Sequence, residues 1–185
     1  MAQFDEDADI AEEAQQQWEE KELALVPSFS IPLFLLLGHK EAKIRACAAR
    51  AIAAGLLQFP NAVKSVLEHI VKKYNEIAAI EDDKERATFL PTVVMLFYLL
   101  EQCAVKKAIP QASLFEVLDL LFNLGFAHKS NEVRVESMKA GEAVMESYGA
   151  EHTQELLKYL NDRLRSLEKD ADTEEEVRER CVRHP

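Results

Sequence analysis

The chain has 185 residues, of which 48% are hydrophobic and 30% charged, with 5 Gly, 6 Pro and a formal net charge of −11. That length supports one folded domain with a real core, while the scarcity of Gly and Pro excludes folds rich in hairpins or coil. The acidic balance argues against general polyanion binding, whose affinity comes mainly from neutralising phosphates.

The acid is concentrated at the ends. Residues 1–22 carry nine acids against Lys21, and residues 168–185 carry seven acids against four bases, so that 23–167 holds 17 of each sign. Ala, Leu, Glu and Lys dominate, which favours helix throughout. The spacing predicts a first helix over 7–20, with Ile10, Ala14 and Trp18 on one stripe. Pro27 and Pro32 then introduce a short apolar helix over 31–37, closed by Gly38 as a C-terminal glycine. A helix over 40–59 follows, with Ile44, Cys47, Ala48, Ala51, Ile52 and Leu56 inward. Pro60 opens the next, to about Tyr74, with Val63, Val66, Leu67, Ile70 and Val71 inward.

Beyond the polar connector Glu81-Asp82-Asp83, a helical stretch over 84–105 carries Pro91, which predicts a break near Leu90. Pro110 begins a helix to about Leu124 with Leu114, Val117, Leu118, Leu121 and Phe122 inward. Asn131 is the expected N-cap of a helix to Tyr148, whose inner face is read as Val133, Met138, Ala140 or Gly141, and Val144 or Met145. A leucine-rich helix over 151–168 has Leu156, Leu157, Leu160, Leu164 and Leu167 as its apolar residues, and Thr173 is placed to cap one that stops at the chain end. The expected organisation is one array: an acidic helix over 1–22, then helix pairs over 27–59, 60–105, 110–149 and 151–185, the last incomplete. Both ends read as cuts within a longer array, because terminal repeats need polar capping faces.

A repeat underlies this order. His39-Lys40-x-x-x-Ile44-Arg45 returns as His128-Lys129-x-x-x-Val133-Arg134, with Arg86 between them and Val177-Arg178 after them. The arginines are therefore 41, 48 and 44 residues apart, a period that means stacked helix pairs rather than a closed globule. The fold class is all-α: a right-handed α-solenoid of antiparallel helix pairs, about four repeats. The apolar member of each Ile/Val-Arg pair points between helices. The arginine is read as a ladder rung reaching acids or carbonyls of the adjacent repeat, since stacking demands registration from one repeat to the next. Ile44, Arg45, Arg86, Val133, Arg134, Val177 and Arg178 form this expected structural set.

Sites for chemistry are sparse. His39 and His128 lie two repeats apart, on the order of 20 Å from helix spacings, too far for joint ligation, and are read as turn residues. His69, His152 and His184 have no ligand set at metal spacing. Cys47, Cys103 and Cys181 lack metal-type spacing, and the first two are read as small buried hydrophobes in a reducing compartment. No nucleophile motif, phosphate loop or paired-carboxylate signature is present, so no catalytic residue, cofactor or metal is expected. The sharpest basic spots are Lys72-Lys73 and Lys106-Lys107. Each is read as closing a helix, where cations suit the dipole, or as a phosphate contact. No secretory or membrane-spanning segment is legible, which makes the expected location cytoplasmic.

Paired helices, a period in the forties and Ile/Val-Arg opening the second helix together resemble HEAT repeats. Residues 5–56 are more particular. Asp5-Glu6-Asp7, Ile10, Ala14 and Trp18, then Glu41-Ala42-x-Ile44-Arg45 with Ala49 and Ala51, resemble the giant Gcn-one type translational activators, upstream of their elongation-factor-3-like region. Ala11 departs from that pattern, where an Arg would follow Ile10, and 81–110 diverges. The resemblance implies a non-enzymatic, monomeric scaffold segment. Its partners would be the ribosome and translation-associated proteins, and its role would be promoting activation of the amino-acid-starvation kinase. It implies no membrane and no small-molecule substrate. Lys72, Lys73, Lys106 and Lys107 are then the candidate ribosome contacts. Two other readings remain: a generic HEAT docking scaffold of transport-receptor or phosphatase type, and a HEAT-like DNA glycosylase, which the zero net charge of 23–167 disfavours.

Overall fold

The computed structural model describes residues 25–166 except Pro27, together with Asp9, Glu12 and Gln16. Those last three are helical and exposed; the rest of the expected first helix, with Ile10, Ala14 and Trp18, lies outside the described residues, as do Thr173, Val177, Arg178 and Cys181. All the regular structure among the described residues is helical. Contacts divide the chain into two compact units, Met1–Ser147 and Tyr148–Pro185.

In the first unit, α1 (Ser30–Leu36) lies against α2 (Ala42–Gln58). The Phe29 ring crosses Gly55, where an added Cβ would run into it, and lies 6.0 Å from the Phe59 ring. Gly55 is therefore a packing glycine. Gly38 does follow the end of α1, directly after its C-cap Leu37, but without the positive φ of a left-handed terminating glycine. Phe59 leaves helical geometry, and Pro60 starts a 3₁₀ turn, Pro60–Ala62, that feeds α3 (Val63–Ala78). Proline suits that first turn because its missing N–H would have had no partner. Val63, Val66, Leu67, Ile70 and Ile77 make its buried face, which contacts α6 (Gln111–Leu120).

Asp82 caps α4 (Asp83–Thr88), its Oδ1 accepting the N–H of Lys84 at 2.7 Å and of Glu85 at 3.2 Å. The expected break then comes at Phe89, and Pro91 sits in the first turn of α5 (Leu90–Val105). This helix is the centre of the unit. Val93, Leu96, Phe97, Leu99, Leu100, Cys103 and Ala104 are all buried, far more than one narrow stripe. Its most extensive partner is α2, where Ala48, Ala49, Ile52, Ala53 and Leu56 are buried and the alanines permit a close approach. Cys47 and Cys103 are buried as expected, and burial pushes the Cys103 thiol up to about 12, keeping it protonated and inert.

α5 ends in a Schellman turn: the Ala108 N–H donates to the Cys103 carbonyl at 2.9 Å and the Lys107 N–H to Ala104 at 2.8 Å. Lys107 takes φ 53°, the left-handed position usually given to glycine. α6 continues into a π-helical turn, Leu121–Phe126, which brings Gly125 against Ser137 and Phe97 so closely that no Cβ fits. Ser137 belongs to α7 (Asn131–Tyr148), is fully buried and donates to the Val133 carbonyl at 2.7 Å. On α7, Val133, Ala140 and Val144 are buried, whereas Met138 and Met145 are 62% and 41% exposed. Met138 therefore lies off the inner face expected of it, and of the two candidates Val144 and Met145 it is Val144 that turns inward. In the second unit, helix 153–166 buries Leu156 but exposes Leu157 and Leu164.

Candidate functional site

The repeated heptads fold into the same small box. In the first, His39 Nδ1 accepts the Glu41 N–H at 3.1 Å, and Arg45 Nη1 donates to the carbonyls of His39 at 2.8 Å and Lys40 at 3.0 Å. In the other, His128 Nδ1 accepts the Ser130 N–H at 3.0 Å, and Arg134 Nη1 donates to His128 at 2.7 Å and Lys129 at 2.9 Å. Arg86 repeats the arginine half, donating to the Ile80 carbonyl at 2.9 Å. A ring nitrogen that accepts carries no proton, so each imidazole is held with its hydrogen on Nε2. The guanidinium supplies donors to carbonyls that the turn leaves unpaired.

These bonds correct the ladder reading. Arg45 and Arg134 each reach the carbonyls five and six residues back in their own turn, and Arg86 the one six back, rather than a neighbouring repeat. Side chains in a helix lean toward its N-terminus, and in the first turn that direction leads onto the preceding loop. For two of them a further anchor comes from the residue three before the arginine. Asp83 pairs with Arg86, and Asn131 Oδ1 accepts from Arg134 Nη2 at 3.2 Å. Ala42 holds the same place before Arg45 and has nothing to offer, and Arg45 Nε is buried without a partner. Asn131 is therefore the first residue of α7 and serves Arg134; it is not the N-cap expected of it.

The second and third boxes line a common cleft of about 540 Å³, with Ile77, Leu90 and Val93 on its apolar side and Arg86, His128 and Lys129 on its polar side. Tyr74 spans it. Its hydroxyl donates to the Leu124 carbonyl at 3.3 Å, and its ring meets the His128 ring edge-on at 6.1 Å. One bond between repeats thus comes from Tyr74, which sequence reading treated only as a helix end. Burial pushes the Tyr74 hydroxyl up. Burial also pushes His128 below its ordinary value, and the charge of Arg134 adds to that.

The two lysine doublets are not neighbours. α3 runs on to Ala78, so Lys72 and Lys73 do not close a helix, which corrects the dipole reading for them. Lys72 is exposed, and Lys73 pairs with Glu76 at 3.2 Å. Lys106 and Lys107 do follow the end of α5. The end of α3 that carries Lys72 and Lys73 lines the cleft with the start of α5, whereas Lys106 and Lys107 lie beyond the far end of α5, so the doublets are on the order of 15 Å apart. Among the described residues no group of three or more His, Cys, Asp or Glu is placed to hold a metal ion, and no helix is long and apolar enough to cross a membrane.

Local boxes at the start of the arginine-bearing helices, a tyrosine bond between repeats and alanine-mediated helix contacts make this site a joint in a repeat array. No curated protein and no solved structure matches the chain. Residues 1–183 match the family described as "Stalled ribosome sensor GCN1, HEAT repeats". The chain belongs to the HEAT-repeat family of the stalled ribosome sensor GCN1.

Proposed function

We propose that this array is a non-catalytic, cytoplasmic scaffold segment that works on ribosomes and helps promote activation of the amino-acid-starvation kinase. The observation that carries the reading is the family match, which extends over residues 1–183. The helix pairs supply reach, and the boxes hold each pair in register without a ligand. Contact with the ribosome falls to Lys72, Lys73, Lys106 and Lys107, of which Lys72 and Lys107 are the more exposed. As two separate doublets they touch two points on a polyanion rather than one pocket.

The test is charge reversal of all four lysines in the full-length protein, followed by ribosome co-sedimentation over a salt series. Binding is expected to weaken and to lose salt dependence, by about one unit of log–log slope for each phosphate contact removed. Starvation-kinase phosphorylation in cells carrying the same protein is expected to fall with it. Unchanged co-sedimentation at every salt concentration rejects the lysines as contacts.

A further inference from the structure

The cleft between the second and third boxes is apolar at its floor and polar along one edge. Ile77 and Val93 are buried there and Leu90 half-buried, whereas Ala78, Ala87 and Lys129 on the rim are exposed. Its volume of about 540 Å³ lies within the range of ordinary ligand pockets. The polar edge has more donors than acceptors. Arg86 uses its donors within its own box, on the Ile80 carbonyl and on Asp83, so a carboxylate of the same helix cancels its charge. Lys129 differs: its carbonyl accepts from Arg134, but its ammonium has no partner among the described residues. His128 Nδ1 is occupied by the Ser130 N–H at 3.0 Å, and the hydrogen left on Nε2 likewise has no partner among the described residues. One uncancelled cation and one neutral donor thus stand together beside an apolar floor.

That combination selects the occupant. A single cation over an apolar floor complements one carboxylate next to an apolar side chain. It is a poor match for a nucleic-acid backbone, whose affinity needs several cations acting together. The exposed rim leaves one side of any occupant in water, which suits a side chain carried on a passing polypeptide better than a free metabolite, normally about 70–90% buried. We propose that the cleft docks a protein partner through a segment in which an aromatic or large aliphatic side chain is followed by Asp or Glu. The apolar side chain fills the space over Ile77, Leu90 and Val93, and the carboxylate accepts from Lys129 Nζ and His128 Nε2. The floor comes from α3 and α5 and the donors from the loop before α7, so one short segment bridges the second and third helix pairs. This docking is independent of the lysine contacts with ribosomes.

The test uses the full 185-residue chain and the peptide acetyl-Gly-Phe-Asp-Gly-amide, titrated at millimolar concentration while methyl, ring and backbone NMR signals are followed. Saturable shifts are expected at Ile77, Leu90, Val93 and His128. Asn in place of the peptide's Asp is expected to weaken binding about fivefold, the size of one exposed charge pair. Ala in place of its Phe is expected to weaken binding about tenfold or more, from the lost apolar burial. In the protein, K129E changes an exposed side chain and is expected to abolish the preference for Asp over Asn, with an unaltered urea midpoint showing that the fold is kept. Ala87→Trp, on the exposed rim, is expected to block both peptides. No saturable shift in the cleft, equal binding of the Asp and Asn peptides, or equal binding of the Phe and Ala peptides overturns the proposal. So do cleft shifts caused by oligouridine and not by the peptide, which would give the site to a nucleic acid. Concentration-dependent shifts at the same residues in the chain alone would assign the cleft to a second copy and overturn it as well.

Discussion

The turns at 39–45 and 128–134 are built from the same motif and make the same histidine and arginine bonds, yet they sit in different surroundings. Ile44 is only partly buried, whereas Val133 is fully buried. His128 has Tyr74 against its ring, while Arg134 has Asn131 as an extra acceptor where Arg45 has Ala42. The motif therefore encodes a local geometry, and its neighbours decide how much each copy is worth to the fold.

The contrast is sharpest at the apolar position. Val133→Ala is expected to cost roughly 2 kcal/mol, from lost transfer energy and a residual cavity. Ile44→Ala removes more atoms and is expected to cost less, because Ile44 keeps solvent contact; urea midpoints of the two variants decide the order. The arginine position should even the two copies out. Lysine cannot reproduce a forked guanidinium, so Arg45→Lys and Arg134→Lys are each expected to cost about 1–2 kcal/mol. A much larger loss at one site in chemical denaturation would show that the boxes are not equivalent. The missing anchor can also be supplied: Ala42→Asp places an acid in the first turn of α2, three residues before Arg45. A gain from a few tenths to about 1 kcal/mol is expected, and destabilisation would mean that Arg45 cannot use it.

The smallest expected effect is a pH dependence. The folded value of His128 is pushed down by burial and by Arg134, so its contribution is present above the unfolded value of 6.5 and is lost as pH falls through the folded one. Asparagine can accept the Ser130 N–H without titrating. His128→Asn is therefore expected to flatten the acid side of the stability profile, and thermal midpoints from pH 7 down to pH 5 measure it.

Much of this fold was legible because helix pairing leaves a spacing signal. On α2, the small and aliphatic residues expected inward are buried, with Ile44 at the margin. The interruption at Pro91 was legible for the same reason, since a proline late in a helix costs a bond and a clash. The inner face of α7 was misread at Met138, which is exposed. The backbone of Gly125 approaches so closely that the buried place beside it takes a serine, Ser137, bonded to its own helix. The π-helical turn left no signal, as its composition is that of any apolar helix. The site was half legible: the heptads marked the boxes, but nothing in the spacing told whether Arg45 and Arg134 bond within a turn or across repeats. Tyr74 matters through tertiary neighbours that no local pattern records.

Arg45, Arg86 and Arg134 take their carbonyl partners from their own turns, and this has a consequence for how such arrays change length. Arg45 and Arg86 are 41 residues apart, and Arg86 and Arg134 are 48 apart. A ladder joining neighbouring repeats would have tied each rung to the placement of the next repeat. A box closed within seven residues is indifferent to what lies between it and the next. Insertions and deletions in the connectors then leave the local bonds intact, and repeats can diverge, duplicate and be spliced as units while each arginine-bearing helix still begins in the same way.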